Sequence, residues 1–235
     1  MSADSSTSLE MKRVLVLGPD AHQLLPLFRD RGLDVVEENP DLVLTYGGDG
    51  LLLGSERAWP GVPKLPLRNS RHGKKCEPRQ VEEALDRLLA GQLRFTQFLK
   101  LHAEALGETQ VGLNDVTVHN SRPTSSVRCD VWIDDVEYGR EIVGDGVVVA
   151  TPFGSTAYYR SITRGIFRLG IGLAFNNSTE QVDHMVLPEE SIIRIRIARG
   201  PAVVVADNNP EFIELEEGDE VTIRRHSEPA TILSL

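Results

Sequence analysis

Two stretches of this chain carry residue types whose spacing could do chemistry. Residues 46–50, YGGDG, follow the apolar run LVLT at 42–45. Paired glycines let a backbone approach a phosphate closely and take up positive φ. The N–H groups of a turn that opens a helix make an anion site. A carboxylate in that place repels phosphate. Asp49 therefore makes sense as a magnesium ligand, or as the base for a hydroxyl that attacks phosphorus. As a plain structural residue it would cap the helix. The second stretch is 144–158, GDGVVVATPFGSTAY. An Asp-Gly turn at Asp145 and Gly146 precedes a β-branched run, 147–149, that reads as a buried strand. Pro152 and Gly154 end that strand, and small hydroxyl residues lead into a helix start. Two corners of similar design suggest one ligand site built from both.

The elements that must position these corners fall into two parts. Residues 11–18 read as a first strand. Leu24, Leu25, Leu27 and Phe28 give helical spacing, with Pro26 delaying the start and Gly32 ending it. Short strands follow at 33–36 and 41–45, the last running into YGGDG. A helix is expected at 51–59, an extended proline-punctuated segment at 61–67, and a basic polar loop, NSRHGKK, at 69–75. At 78–90, Val81, Ala84, Leu85, Leu88 and Leu89 share one helical face. From there the pattern turns to alternation and β-branching at 95–104, 110–120, 126–133 and 137–150, with Asp134-Asp135 as a hairpin turn. A short helix at 158–164 precedes strands at 191–198, 202–206, 220–225 and 231–235. The expected fold class is thus α/β + β: an N-terminal open α/β sheet at 11–98 carrying YGGDG, with ligands at its strand C-terminal ends, and a β-rich antiparallel domain at 99–235. The last strand is free to return to the first domain. Residues 1–10, polar and small, read as a disordered tail.

The composition narrows the classes of function. Of 235 residues, 35 are acidic and 25 are Lys or Arg, a formal charge of −10. That argues against a nucleic-acid partner, because phosphate-backbone affinity comes from Lys and Arg. An anionic nucleotide would need backbone donors, a few local cations or a metal. Two cysteines, Cys76 and Cys129, cannot build a disulfide framework or a four-cysteine zinc site. They fit a reducing cytosol, and a cytoplasmic protein is expected. There is no apolar run of membrane length and no signal peptide. His22, His102, His119 and His226 lack ligand spacing, so no metal ligands are assigned.

GGDG after a strand, followed about a hundred residues later by DG-x4-TPFGSTAY, resembles the NAD kinase family. Residues 185–195, MVLPEESIIRI, and 211–225, EFIELEEGDEVTIRR, are similar to later segments of that family. The resemblance implies a two-domain phosphotransferase that phosphorylates the 2′-hydroxyl of the adenosine ribose of NAD to give NADP. The donor would be ATP or polyphosphate, with a divalent metal, magnesium being the expected one. It implies that Asp49 is the base and that Gly47, Gly48 and Gly50 cradle phosphate. It also implies that Asn114 and Asp115, in VGLNDVTVHN, contact the dinucleotide, with Asp115 standing where the family has Glu. The hydroxyls of Ser155 and Thr156 can read adenine nitrogens, Tyr158 can stack or hydrogen-bond, and Asp145 can accept from ribose hydroxyls. Ala157 completes that contact set. Family members are homo-oligomers, so a homodimer or homotetramer is expected.

The chain departs from the family pattern around the phosphates. Leu51 replaces the Thr that usually follows GGDG. The family's Asn-x-Gly-x-x-Gly-Phe-Leu loop is shortened to 69–75, where Asn69, His72 and Gly73 have counterparts and the aromatic does not. The Gly-Gly-Pro after TAY is absent. Two readings follow. Arg71, Lys74 and Lys75 replace lost donors as point charges on phosphate, or the chain keeps the fold and serves as a dinucleotide-binding or regulatory protein without the kinase activity. A lipid or sugar kinase sharing the GGDG corner is the third reading, and TPFGSTAY argues against it.

Overall fold

The computed structural model describes residues 11–69, 81–180 and 182–235. The expected tail at 1–10, the basic loop beyond Asn69 with Arg71, His72, Lys74 and Lys75, and Cys76 lie outside the described residues. The chain divides into two compact units. One comprises residues up to Gln97 together with Ala230–Leu235; the other is Phe98–Pro229.

The first unit contains β1 (Arg13–Leu17), α1 (Leu25–Arg29), β2 (Asp34–Val35), β3 (Leu42–Gly47), α2 (Asp49–Ala58), β4 (Lys64–Arg68), α3 (Val81–Leu89) and β5 (Arg94–Phe98). Its six-stranded sheet has the order β2-β1-β3-β4, then the chain's last strand Ala230–Ser234, then β5. The pairs β1–β2, β1–β3, β3–β4 and β4 with the last strand are all parallel. Parallel sheets are covered on both faces, and β3 is buried along its whole length, as such strands are. Leu42, Leu44 and Tyr46 of β3 and Leu65 and Leu67 of β4 share a core with Val81, Ala84 and Leu85 of α3. The alternate residues of β4 face α2: fully buried Lys64 donates to Glu56 of that helix at 2.6 Å and to the carbonyl of Trp59 at 2.7 Å. This pair pins the C-terminal turns of α2 onto the sheet. Pro26 sits at the first turn of α1, where its missing N–H costs nothing.

The second unit contains β6 (Leu101–Ala105), β7 (Glu108–Gly112), β8 (Asp115–Asn120), β9 (Val127–Ile133), β10 (Val136–Gly144), β11 (Gly146–Ala150), α4 (Tyr158–Thr163), β12 (Ile171–Asn176), β13 (Met185–Leu187), β14 (Ile193–Arg199), β15 (Ala202–Ala206), β16 (Ile213–Leu215) and β17 (Glu220–Arg225). The last strand, Ala230–Ser234, is β18. Two six-stranded antiparallel sheets, ordered β10-β9-β14-β17-β6-β7 and β13-β12-β11-β8-β15-β16, enclose one apolar core. Alternation drives this: Ile193, Ile195 and Ile197 of β14 and Ala202, Val204 and Ala206 of β15 point inward. Strand β11 is buried on both faces, because α4 covers its other side through Tyr159 against Ala150 and Ala174.

Three stretches expected as single β runs are each broken. Residues 95–104 split into β5 and β6, 110–120 into β7 and β8, and 137–150 into β10 and β11, with the two parts in different sheets each time. A strand that changes sheets keeps its alternation and propensity, so periodicity does not mark the corner. The hairpin at Asp134-Asp135 has φ of 51° and 63°, the paired positive values that a tight two-residue turn requires. Strands β12 and β13 carry no clear strand signal. In β12, IGLAFN, Gly172 weakens the propensity, yet a Cβ there would lie 2.4 Å from the Phe167 ring. In the turn after β15, Asp207 is left-handed, with φ 53°.

Two stability predictions follow. Lys64→Met would leave Glu56 buried without its cation, and should cost about 3–5 kcal/mol, read as a lowered urea midpoint. In the second unit burial pushes the Asp130 carboxyl up. The Glu141 N–H at 2.7 Å and the Arg196 guanidinium outweigh that and hold it below the ordinary carboxylate value. A depressed carboxyl stabilises the fold above its unfolded pKa, and that stability is lost as pH falls through the folded value. Arg196→Met should therefore lower the urea midpoint at neutral pH and move the acid-unfolding midpoint to higher pH.

Candidate functional site

In the first unit, β3 ends at Gly47 and α2 starts at Asp49. Gly48 is the N-cap residue, extended at φ −100°, and no side chain caps the helix. Asp49 is thus the first helical residue, not the cap. Acidic residues there complement the helix dipole. The Leu51 N–H is taken by the Gly48 carbonyl at 3.1 Å. The Asn69 N–H reaches the Gly47 carbonyl at 3.3 Å, and its amide donates to Asp20 at 3.0 Å. A cavity of about 460 Å³ opens here, lined by Pro19, Gly47, Gly48, Gly50, Leu51 and Asn69. The structure therefore brings Gly47, Gly48, Gly50 and Asn69 to one place, beside Asp49. Arg71 and His72 lie outside the described residues. A helix N-terminus next to glycine backbone suits an anion, and a carboxylate at its first position suits a proton acceptor.

The second unit builds a corner of different chemistry around residues 113–115. The Asp207 carboxylate accepts from the N–H groups of Leu113 and Asn114, each at 2.7 Å, and of Asp115 at 3.2 Å. From the other side, the Thr151 N–H donates to the Asn114 carbonyl at 2.8 Å, and the Thr151 hydroxyl to the Leu113 carbonyl at 2.7 Å. The Thr151 hydroxyl in turn accepts from the Gly154 N–H at 3.0 Å. Gly154 is forced by contact: a Cβ there would sit 1.8 Å from the Asn114 carbonyl oxygen. The TPFG turn and the Asn-Asp pair are thus one unit, and Asn114 and Asp115 are held at a break between strands with little freedom.

Asp145 and Tyr158 stand close to this pair, and Thr156 and Ala157 lie on the turn that leads from Gly154 to Tyr158. The Tyr158 hydroxyl accepts from the Asn176 amide at 2.8 Å, and Asp145 accepts from the Asn177 amide at 2.6 Å. Burial raises the Tyr158 phenol above its ordinary pKa, and the nearby Asp145 and Asp115 carboxylates raise it further. Those three groups therefore share one electrostatic environment, with Tyr158 protonated at neutral pH. Thr156 is exposed and Ala157 half-buried. Ser155 is a correction. It is 1% exposed, and its hydroxyl contacts the carbonyls of Pro152 at 2.8 Å and Phe167 at 3.0 Å. It braces the turn instead of facing a ligand. A corner of two carboxylates, an amide and a phenol suits sugar hydroxyls and a heteroaromatic edge more than a phosphate. Sequence reading missed Asp207, Thr151, Asn176 and Asn177 as parts of this corner. Asp207 lies more than ninety residues from the N–H groups it holds, and no local pattern signals that.

A family model described as the ATP-NAD kinase C-terminal domain matches residues 113–235, from the Asp207-clamped segment to the end of β18. The chain belongs to the NAD kinase family. Among its relatives, an NAD kinase of Acidithiobacillus ferrooxidans is 30% identical over 245 residues, covering 97% of this chain and 80% of that protein. An NAD kinase of Methanothermobacter thermautotrophicus is 28% identical over 225 residues, covering 90% and 77%. Two solved structures share the NAD kinase fold. A crystal structure of an NAD kinase from Archaeoglobus fulgidus in complex with ATP superposes with a TM-score of 0.82 at 21% identity, covering 94% of this chain and 93% of that one. Yeast NADH kinase complexed with NADH gives 0.80 at 20%, covering 94% and 73%.

Gly154→Ala should destabilise the protein by about 3 kcal/mol or more and weaken nucleotide binding with it, because the methyl group must push Asn114 out of place. Urea unfolding and calorimetry of the same variant check both.

Proposed function

We propose that this protein transfers a phosphoryl group from ATP or polyphosphate to the 2′-hydroxyl of the adenosine ribose of NAD, giving NADP. The observation that carries this reading is the clamped Asn114-Asp115 pair beside Asp145 and Tyr158, in a chain of the NAD kinase family. The first-unit corner takes phosphate through the backbone at Gly47, Gly48 and Gly50, with Asn69 at its edge. Asn114, Asp115, Asp145, Thr156, Ala157 and Tyr158 hold the dinucleotide. Asp49 accepts the proton of the attacking hydroxyl. The new bond joins that oxygen to the terminal phosphorus, and the shortened donor leaves with the bridging oxygen. Little covalent help is needed, so positioning and electrostatics carry most of the rate.

Among the described residues no group of three His, Cys, Asp or Glu side chains converges to hold a metal ion. The divalent metal of the reaction, expected to be magnesium, is accordingly treated as part of the donor, carried on its phosphates. No helix among the described residues is long and apolar enough to cross a membrane. A cytoplasmic homodimer or homotetramer without a nucleic-acid partner completes the proposal.

A second reading, a dinucleotide-binding protein without kinase activity, draws on Leu51. Its side chain packs onto Gly47 so closely that a Cβ there would lie 2.8 Å away, and it lends the donor cavity an apolar wall. Mass-spectrometric detection of NADP from NAD, magnesium and either donor decides between them. Asp49→Asn should lose turnover by roughly 10²–10⁴-fold while NAD affinity stays within about twofold, as an uncharged isostere removes a base without removing a surface. Unchanged turnover would remove Asp49 from the mechanism.

A further inference from the structure

An acidic protein that handles oligophosphates needs a cation where the phosphates sit, and the carboxyl edge of the first sheet holds one that forms no ion pair among the described residues. Arg68 is the last residue of β4, in register with Gly47 on β3. Its Nε is buried without a hydrogen-bond partner, and among the described residues it forms no ion pair. Thr45, fully buried on the adjacent strand, leaves its hydroxyl oxygen equally unmatched. Buried polar atoms are normally satisfied, so two at one edge call for an explanation.

The direction of the Arg68 side chain follows from the pleat. Leu65 and Leu67 point into the core shared with α3, so residues 64, 66 and 68 lie on the opposite face. Lys64 shows what covers that face, since it reaches Glu56 of α2. Helix α2 connects the parallel strands β3 and β4 and so runs back against them. Four residues along β4 advance ~13 Å, and seven residues back along α2 from Glu56 to Asp49 cover ~10 Å. Arg68 therefore stands abreast of the first turn of α2. Among the described residues, the other cations on this layer are committed or distant: Lys64 is sealed by Glu56, and Arg57 belongs to the last turn of the helix.

We infer that Arg68 is a phosphate-binding residue for the phosphoryl donor, pairing its guanidinium with the donor's oligophosphate chain beside Gly47 and the first turn of α2. The inference rests on the kinase reading above. A planar guanidinium recognises phosphate through two parallel N–H bonds. It also offsets the charge that Asp49 places at the same corner. Recognition through phosphate alone would make the donor's nucleoside secondary.

The test measures binding apart from turnover. Inorganic tripolyphosphate is titrated by calorimetry into the full chain and into Arg68→Met and Arg68→Lys, with NAD titrated separately and melting temperatures recorded. Arg68→Met should lose about 10–100-fold in tripolyphosphate affinity, with Arg68→Lys in between. NAD affinity should hold, and the melting temperature of Arg68→Met should stay level or rise, since an unsatisfied buried N–H is removed. Wild-type affinity in Arg68→Met, no tripolyphosphate binding by the wild type, or a loss confined to NAD would each overturn the inference. So would a lowered melting temperature in both variants, which marks a structural arginine. If the wild type binds tripolyphosphate through Arg68 but makes no NADP, the kinase reading fails while Arg68 keeps its oligophosphate-binding role, with no donor assigned to it.

Discussion

The second unit depends on one backbone contact, the seating of Gly154 against the Asn114 carbonyl. Everything polar in that corner is arranged around it. Because the two backbones touch, Thr151 can bond to both Leu113 and Asn114, and the same turn then delivers Thr156, Ala157 and Tyr158. On the far side Asp207 gathers three consecutive N–H groups. A break between strands would otherwise leave those groups unpaired, and each buried donor left so costs about 1–3 kcal/mol. The clamp removes that penalty and fixes the Asn-Asp pair through its backbone.

Sequence pattern made much of this fold readable, but unevenly. Strands β14 and β15 announce themselves by strict alternation, and α3 by Val81, Ala84 and Leu85 on one face. Strand β12 is hidden because its glycine answers to Phe167, not to strand propensity. The sheet switches near residues 99, 113 and 145 are hidden because alternation does not record which sheet a strand belongs to. In the site, the TPFG turn is visible through Pro and Gly, whereas Asp207 is not. Its role depends on a pairing of β15 with β8 that only the folded chain creates. Ser155 illustrates the opposite failure: a hydroxyl in a motif invites a ligand, but burial turned it inward.

The two corners differ in what they could attract. The first unit offers glycine backbone, a helix start and an arginine with no partner among the described residues. The second offers carboxylates, amides and a phenol whose proton is held more firmly by the acids beside it. With a formal charge of −10, an anionic nucleotide has to be met by local donors, since the overall field repels it.

The position of β18 has a consequence for how the chain is made. It lies between β4 and β5 in the first sheet, although it follows the whole second unit in the chain. A nascent chain that has produced all of β1 to β5 still lacks the strand that joins β5 to its neighbours. The second unit, contiguous from Phe98 to Pro229, is complete before that strand emerges from the ribosome. The usual order of co-translational folding is amino-terminal part first; here the inserted sandwich can mature before β18 is made, and the first sheet closes only once that strand has emerged.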